Sequence, residues 1–283
     1  MVRRHELSDE EWDVLSGLLP RTDTGRPRRD DRVVLNGIVW KLRTGSAWRD
    51  VPERYGSWRT LYTRFRRWAL DGTFTRMLEA VQAQKDAAGD VDWLVSVDST
   101  ITRAHQHAAG ARKKGQATQK RHTPHALGRS RGGLTTKIHL ACDGRGRPLG
   151  FVVTGGNIND CTQVEQILAR IRVHRPGPGR PRTRPDHLLG DKGYSSRGIP
   201  NYLRKRGIAH TIPERSDQQA NRRRRGSNGG RPPAFDKERY KQRNVVERCF
   251  NALKQYRAIA TRYDKIRESY GTALTIASLL MWI

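Results

Sequence analysis

The residues best placed to do chemistry lie near the end of the chain, in Tyr240-Lys-Gln-Arg243-Asn-Val-Val-Glu247-Arg-Cys-Phe-Asn-Ala-Leu-Lys254. Read as one helix at about 100° per residue, Tyr240, Arg243, Glu247 and Lys254 fall at roughly 0°, −60°, −20° and −40°. A single narrow stripe therefore carries a carboxylate, an aromatic ring and two cations. Val245, Val246, Cys249, Ala252, Leu253 and Tyr256 make the opposite, apolar face that packs on a core. A metal-binding acid beside a phosphate backbone needs such a setting. An ordinary amphipathic surface helix with an Arg/Glu pair at i, i+4 has the same pattern, so the stretch alone does not decide.

Two more acids share a comparable context. Trp93-Leu-Val-Ser-Val-Asp98 and Leu188-Leu-Gly-Asp191 are short apolar runs suited to buried strands, each ending on an aspartate. Strand-end aspartates often cap turns, and exposed glutamates are common. Three acids in this order on these elements fit phosphodiester cleavage with two divalent metals, whose ions sit about 3.5–4 Å apart between bridging carboxylates. One ion would activate the attacking hydroxyl or water and the other would stabilise the leaving oxygen. An all-oxygen donor set favours magnesium, or manganese in its place, over zinc. His105 and His107 suggest another metal pair, but imidazole is a poor magnesium ligand and no third soft ligand is nearby.

The elements that must position these acids fall into two regions. Ser8-Asp-Glu-Glu11 is a capping box for a helix carrying Trp12, Leu15, Leu18 and Leu19. Asp30 and Asp31 open a second helix that Gly45 ends. A third, capped by Ser57, repeats Trp58, Leu61, Tyr62, Phe65, Trp68 and Ala69, with Arg59, Thr60, Thr63, Arg64, Arg66 and Arg67 on its outer face. A fourth covers Phe74 to Ala87. Residues 1–88 thus read as a small all-helical module resembling a helix-turn-helix domain, with 58–70 as its recognition helix. A helical packing or dimerisation domain with solvated arginines is the alternative.

After Gly89 the pattern changes. Leu134 to Cys142 and Pro148 to Thr154 flank Asp143-Gly-Arg-Gly146 as a hairpin. Helices follow over about 160–173 and 196–206, and a last strand over 208–212. The order of three strands, helix, strand, helix, strand, helix matches an α/β (α+β) fold, the ribonuclease-H-like mixed sheet with helices on both faces, over 89–283. Residues 101–132, with Arg103, Arg112, Lys113 and Lys114 and no acid, and residues 213–235, with Arg222 to Arg225, read as long cationic loops that order on DNA.

Composition points the same way. The 283 residues hold 55 Lys plus Arg against 28 Asp plus Glu, a formal charge of +27. Such an excess repels itself unless a polyanion relieves it, and nucleic acid is the leading candidate. A ribosome-like structural protein and a membrane-surface protein are the alternatives. The apolar run from Thr272 to Ile283 is too short to span a bilayer, so no membrane partner is expected. Cys142, Cys161 and Cys249 lack paired spacing, and Met1-Val-Arg-Arg-His-Glu lacks the pattern of a signal peptide. Both fit a reduced cytoplasmic protein associated with the nucleoid.

At this point the chain resembles a bacterial insertion-sequence DDE transposase of the insertion-sequence five family, within the larger four/five group. Val97-Asp98-Ser99-Thr100, followed by Arg103-Ala-His-Gln-His107, carries the first acid; Asp191-Lys-Gly-Tyr194 fits the group's Asp-x-Gly-Tyr/Phe pattern; and the opening stretch fits its Tyr-x2-Arg-x3-Glu-x6-Lys signature. The resemblance implies that Asp98, Asp191 and Glu247 hold two magnesium ions. It also implies that Tyr240, Arg243 and Lys254 contact the phosphates and bases of a transposon end. Water would attack first, freeing a 3′-hydroxyl that then attacks target DNA, with a homodimer synapsing two ends of double-stranded DNA. Arg103, Arg112, Lys113 and Lys114 would grip the backbone by charge, and Arg59, Arg64 and Arg67 would serve recognition. A nuclease that only hydrolyses, and a DNA-binding protein without catalysis, remain alternatives.

The charge excess predicts that DNA affinity falls steeply as salt rises, because counterions are released from each neutralised phosphate. Binding titrations over a range of salt concentrations check this, and a nearly flat log–log plot would refute it.

Overall fold

The Glu11 amide donates to Ser8 Oγ at 3.1 Å and the Ser8 amide to Glu11 Oε2 at 2.8 Å, so the reciprocal cap read from the sequence opens the first helix. The computed structural model describes residues 4–20, 28–109 and 125–283. Helices α1 (Asp9–Ser16), α2 (Asp31–Thr44), α3 (Trp58–Leu70) and α4 (Thr73–Ala87) come first. Then follow β1 (Leu94–Ala104), α5 (Gln106–Ala109), β2 (Gly128–Ser130), β3 (Gly133–Cys142), β4 (Pro148–Gly155), α6 (Val164–Arg170), β5 (His187–Gly190), α7 (Gly198–Lys205) and β6 (Ala209–Thr211). The chain continues through α8 (Ser216–Arg224), α9 (Lys237–Lys241), α10 (Val245–Lys254), α11 (Arg257–Ala260), β7 (Thr261–Arg262) and α12 (Arg267–Leu280).

The sheet runs β4–β3–β1–β5–β6, with β3 antiparallel to β4 and β1, and β1, β5 and β6 parallel. This is the ribonuclease-H-like arrangement that the order of elements predicts. Short β2 extends the outer edge of β3, and β7 lies along the far end of β1. Helix α10 packs on β1 and β3, while α6 packs on β3 and β4. Strand β1 is buried at Val95, Ser96 and Val97 and pairs with β3 from Ser96–Cys142 to Arg103–Thr135.

Three expectations need correction. Strand β1 runs six residues past Asp98, so that acid sits mid-strand and residues 101–132 are not one loop: β1, α5 and β2 occupy both ends of the segment. Thr100, Ile101 and Thr102 are β-branched, and the full-length pairing with β3 carries them into the sheet. Residues 110–124, which include Arg112, Lys113 and Lys114, lie outside the described residues. Residues 213–235 hold α8 and a 3-10 turn over Gly226–Gly229; α8 buries no residue. Finally, the Tyr240–Lys254 stretch is two helices, because Gln242–Asn244 tighten into a 3-10 turn between α9 and α10.

The helical region and the sheet share one apolar cluster, running from Leu15, Leu61 and Trp68 through Val97 and Leu140 to Leu279 and Trp282. Helix α2 meets α11, and α3 and α4 meet α12. Gly45 ends α2 in the left-handed region at φ 72°, where a Cβ would stand 3.0 Å from the Arg257 Cβ. Only glycine suits both demands. Cys142 and Cys249, distant in sequence, meet in this core, where burial pushes the Cys142 thiol well up.

Arg262 is fully buried and has no carboxylate partner among the described residues. It donates instead to the carbonyls of His125 (2.8 Å), Ala126 (3.0 Å), Asp264 (2.9 Å) and Lys265 (3.2 Å) and to Thr136 Oγ1 (2.6 Å). Burial lowers its pKa, since a desolvated cation is costly. Arg262→Met would leave these acceptors unmatched, a loss partly offset because a cation is no longer buried. The expected cost is about 3–5 kcal/mol in all, seen as a melting temperature lower by about 10 °C.

Candidate active site

Strands β1 and β5 pair in parallel with Val97 opposite Gly190, so Asp98 and Asp191 are the next residues on neighbouring strands, at the point where the strands part. Asp98 accepts from the Ser99 amide at 2.7 Å and, through Oδ2, from Arg243 Nη1 at 2.9 Å. Arg243 Nη2 donates to Glu247 Oε1, also at 2.9 Å. One guanidinium thus bridges the first and third acids, across 145 and 4 residues of sequence respectively. Asp191 Oδ1 accepts from the Gly193 amide at 2.8 Å and caps the 3-10 turn Lys192–Tyr194.

Burial raises the pKa of Asp98, and the nearby negative charge of Asp191 adds to it; the Ser99 amide and Arg243 pull the other way. A carboxylate held in this state gains from any further cation. Arg243 is itself largely shielded, with its side chain 16% exposed, while Glu247 is open at 54%. The Lys254 ammonium donates to Thr100 Oγ1 at 2.7 Å, and the Tyr240 ring packs against Phe235 at 5.1 Å with Arg243 5.9 Å from its centroid.

Among the described residues, no three His, Cys, Asp or Glu side chains gather closely enough to hold a metal. Asp98 and Glu247 meet on Arg243 and Asp191 stands beside Asp98, but the three do not yet form one ligand cluster. Their chemistry nevertheless suits a hard divalent cation: the donors are all carboxylate oxygens, and the most buried of them is short of positive charge. His105 and His107 stack ring on ring at 4.8 Å, with Tyr263 4.7 Å from His105.

The residues expected to meet DNA are scattered. Arg103 is exposed on β1, and Arg59 and Arg67 are exposed on α3. Arg64 is not on the outer face: it is 9% exposed, paired with Asp31 at 2.5 Å and set over the Trp68 ring at 5.2 Å. The helical period places Arg64 between the two faces, and the acid at the start of α2 draws it inward. Sequence reading also assigned no role to Asp160, whose turn adjoins that of Tyr194, or to His139 and Lys137, which lie against Asp160. The one available signal was an acid closing the Gly155-Gly-Asn-Ile-Asn-Asp160 loop.

A ribonuclease-H-like sheet with two aspartates where the parallel strands part and a glutamate on a later helix has the layout of a DDE-type enzyme, a class that cuts and joins DNA. Residues 89–282 match the family described as Transposase DDE domain, and residues 7–78 match a family described for IS4/5 transposases, DUF4096. The chain belongs to the DDE transposase family. It is 31% identical over 158 residues to a Burkholderia cepacia protein named as transposase for insertion sequence element IS402, covering 56% of this chain and 66% of that one. It is 29% identical over 150 residues to a Brucella ovis protein named likewise for IS6501, covering 53% and 99%. An uncharacterised Sinorhizobium fredii protein is 43% identical over 109 residues, covering 38% and 83%. Among solved structures, the Mos1 transposase paired-end complex aligns over 84% of this chain and 82% of that one, at 11% identity and a TM-score of 0.27. No helix among the described residues is long and apolar enough to cross a membrane.

These placements separate two arginines that the sequence treats alike. Arg67→Ala should weaken binding to specific DNA with little change in melting temperature. Arg64→Ala should instead lower stability by about 1–2 kcal/mol, because it removes one of the two guanidiniums paired with the half-buried Asp31, Arg28 being the other, and the contact over Trp68. Paired melting and binding measurements check both, and equal effects from the two would refute the distinction.

Proposed function

We propose that this transposase cuts the terminal inverted repeats of an insertion sequence and joins the freed 3′-hydroxyl to target DNA, with Asp98, Asp191 and Glu247 as its catalytic acids. The observation that carries this reading is the parallel register of β1 and β5, which sets Asp98 beside Asp191. Asp98, Asp191 and Glu247 would hold two magnesium ions, for which manganese can substitute. When bound, such ions activate the attacking oxygen and neutralise the leaving one.

The chain's own residues prepare that site. Arg243 bridges Asp98 and Glu247, and its planar fork would also suit a phosphate of the transposon end. Lys254 and Tyr240 flank it and would contact the same DNA. Arg59 and Arg67 on α3 would read the repeat, and Arg103, Arg112, Lys113 and Lys114 would hold the backbone. Two ends must be brought together, so the working form would be a homodimer on double-stranded DNA, associated with the nucleoid.

Asp98→Asn, Asp191→Asn and Glu247→Gln should each lower strand transfer of a pre-cut end by about 10³-fold, while binding to the end is retained. Undiminished strand transfer by Asp191→Asn would overturn the site assignment. A wild-type protein that hydrolyses DNA but never joins a pre-cut end would make it a nuclease instead.

A further inference from the structure

Behind the catalytic rim lies a second polar cluster to which the reaction as described gives no role. Four buried polar atoms on adjoining segments make no hydrogen bond, although one of them, Asp160 Oδ1, has Lys137 as an ion-pair neighbour: Tyr194 Oη, His139 Nδ1, Asp160 Oδ1 and Gln163 Oε1. They come from three short segments, the 3-10 turn after Asp191, strand β3 and the 3-10 turn Asp160–Gln163 before α6. Ser99 pairs with His139 across β1 and β3, so by strand alternation this cluster faces away from Asp98. Buried polar groups without partners are rare, and a group of them implies a bond or a water linking them.

The chemistry of the four atoms limits how they combine. His139 is fully buried, and burial lowers its pKa to about 4, so the ring is neutral. Its Nε2 lies 2.8 Å from Thr154 Oγ1 and its Nδ1 3.4 Å from Asp160 Oδ1. Lys137 Nζ stands 3.1 Å from the same carboxylate oxygen and donates to the Ile158 carbonyl at 2.9 Å. Tyr194 is 1% exposed, and a Cβ placed on Gly190 would meet its ring at 3.4 Å and Val97 at 3.5 Å. The ring therefore lies against Gly190, on the face of the sheet that carries the Val97 side chain. Burial raises the phenol's pKa, and the carboxylates of Asp98, Asp160 and Asp191 add to the rise. Its hydroxyl is a permanent donor with an anionic acceptor nearby.

We propose that Asp160 accepts a hydrogen bond from the Tyr194 hydroxyl, directly or through one buried water, and thereby positions the turn that presents Asp191. This rests on the assignment of Asp191 to the catalytic centre. Asp160 and Tyr194 are positioning residues: neither touches DNA, and both act by holding the Asp191-Lys-Gly-Tyr194 turn against the end of β5. Lys137 and the neutral His139 ring both lie against the Asp160 carboxylate.

The test uses the full chain bound to a pre-cut DNA end and compares Tyr194→Phe, Asp160→Asn and the double variant with Asp191→Asn. Manganese binding followed by electron paramagnetic resonance is the first readout, strand transfer the second, and DNA affinity and melting temperature the controls. Each single variant should weaken manganese binding about tenfold, the scale typical of groups that orient metal ligands, with DNA affinity unchanged. The double variant should be no worse than the weaker single one, because both remove the same link. Tyr194→Phe keeps the ring, so it carries the test if Asp160→Asn does not fold. Wild-type manganese affinity in either folded single variant, or losses that multiply in the double, overturns the link. An inactive Asp191→Asn beside such results leaves the catalytic assignment standing, whereas an active Asp191→Asn removes that assignment first.

Discussion

Everything at this centre depends on crowding negative charge where two parallel strands separate. The register that sets Val97 against Gly190 leaves Asp98 and Asp191 no choice but to be neighbours. Asp98 is mostly out of water, so its charge is costly both from lost hydration and from the adjacent acid. The protein answers with Arg243, whose planar fork reaches Asp98 with one nitrogen and Glu247 with another. That reach is available only because α10 is pinned by Val245, Val246, Cys249, Phe250 and Leu253, all buried against the sheet. Apolar packing of one helix face thus fixes the electrostatics of the other.

The parts of the fold governed by local periodicity were legible in the sequence. The capping box of α1, the αL glycine closing α2, the hairpin around Asp143 and the acids after β5 and on α10 all lie where spacing alone puts them. What escaped was decided by tertiary contacts. Strand β1 extends past Asp98 because β3 offers a partner along its whole length, which an alternation of small polar and β-branched residues does not announce. The break at Gln242–Asn244 has no proline or glycine to signal it; the turn tightens where Arg243 is drawn to Asp98, a residue 145 positions away. Arg64 looked like a surface cation because its partner Asp31 belongs to another helix.

Part of the charge excess is structural. Arginines serve as structural members throughout: Arg147 joins Asp143 and Asp90 and lies 4.2 Å from the Trp282 ring, Arg182 covers Trp93 at 4.0 Å, and Arg262 ties carbonyls together inside the core. Guanidinium suits this work because it stacks on rings and offers five donors, uses that leave lysine at a disadvantage. A composition of this kind can therefore support a core as well as a polyanion-binding surface. Arg59, Arg67 and Arg103 are among the cations that stay exposed.

The same economy links recognition to catalysis. The chain leaves α10 at Lys254, and two residues later buried Tyr256 lies beneath the Arg43 guanidinium of α2, 3.8 Å from its ring centroid. Arg257 then abuts Gly45, and α12 returns beneath α3 and α4, where Arg66 meets Ser269 at 3.4 Å. No flexible linker separates the helix carrying Glu247 from the helices proposed to read DNA; they are walls of one apolar core. Interior packing at this density transmits small displacements instead of absorbing them. A transposon end bound at α3, as proposed, would therefore be seated relative to Glu247 as well, with the separation of the two set by the core rather than by the DNA.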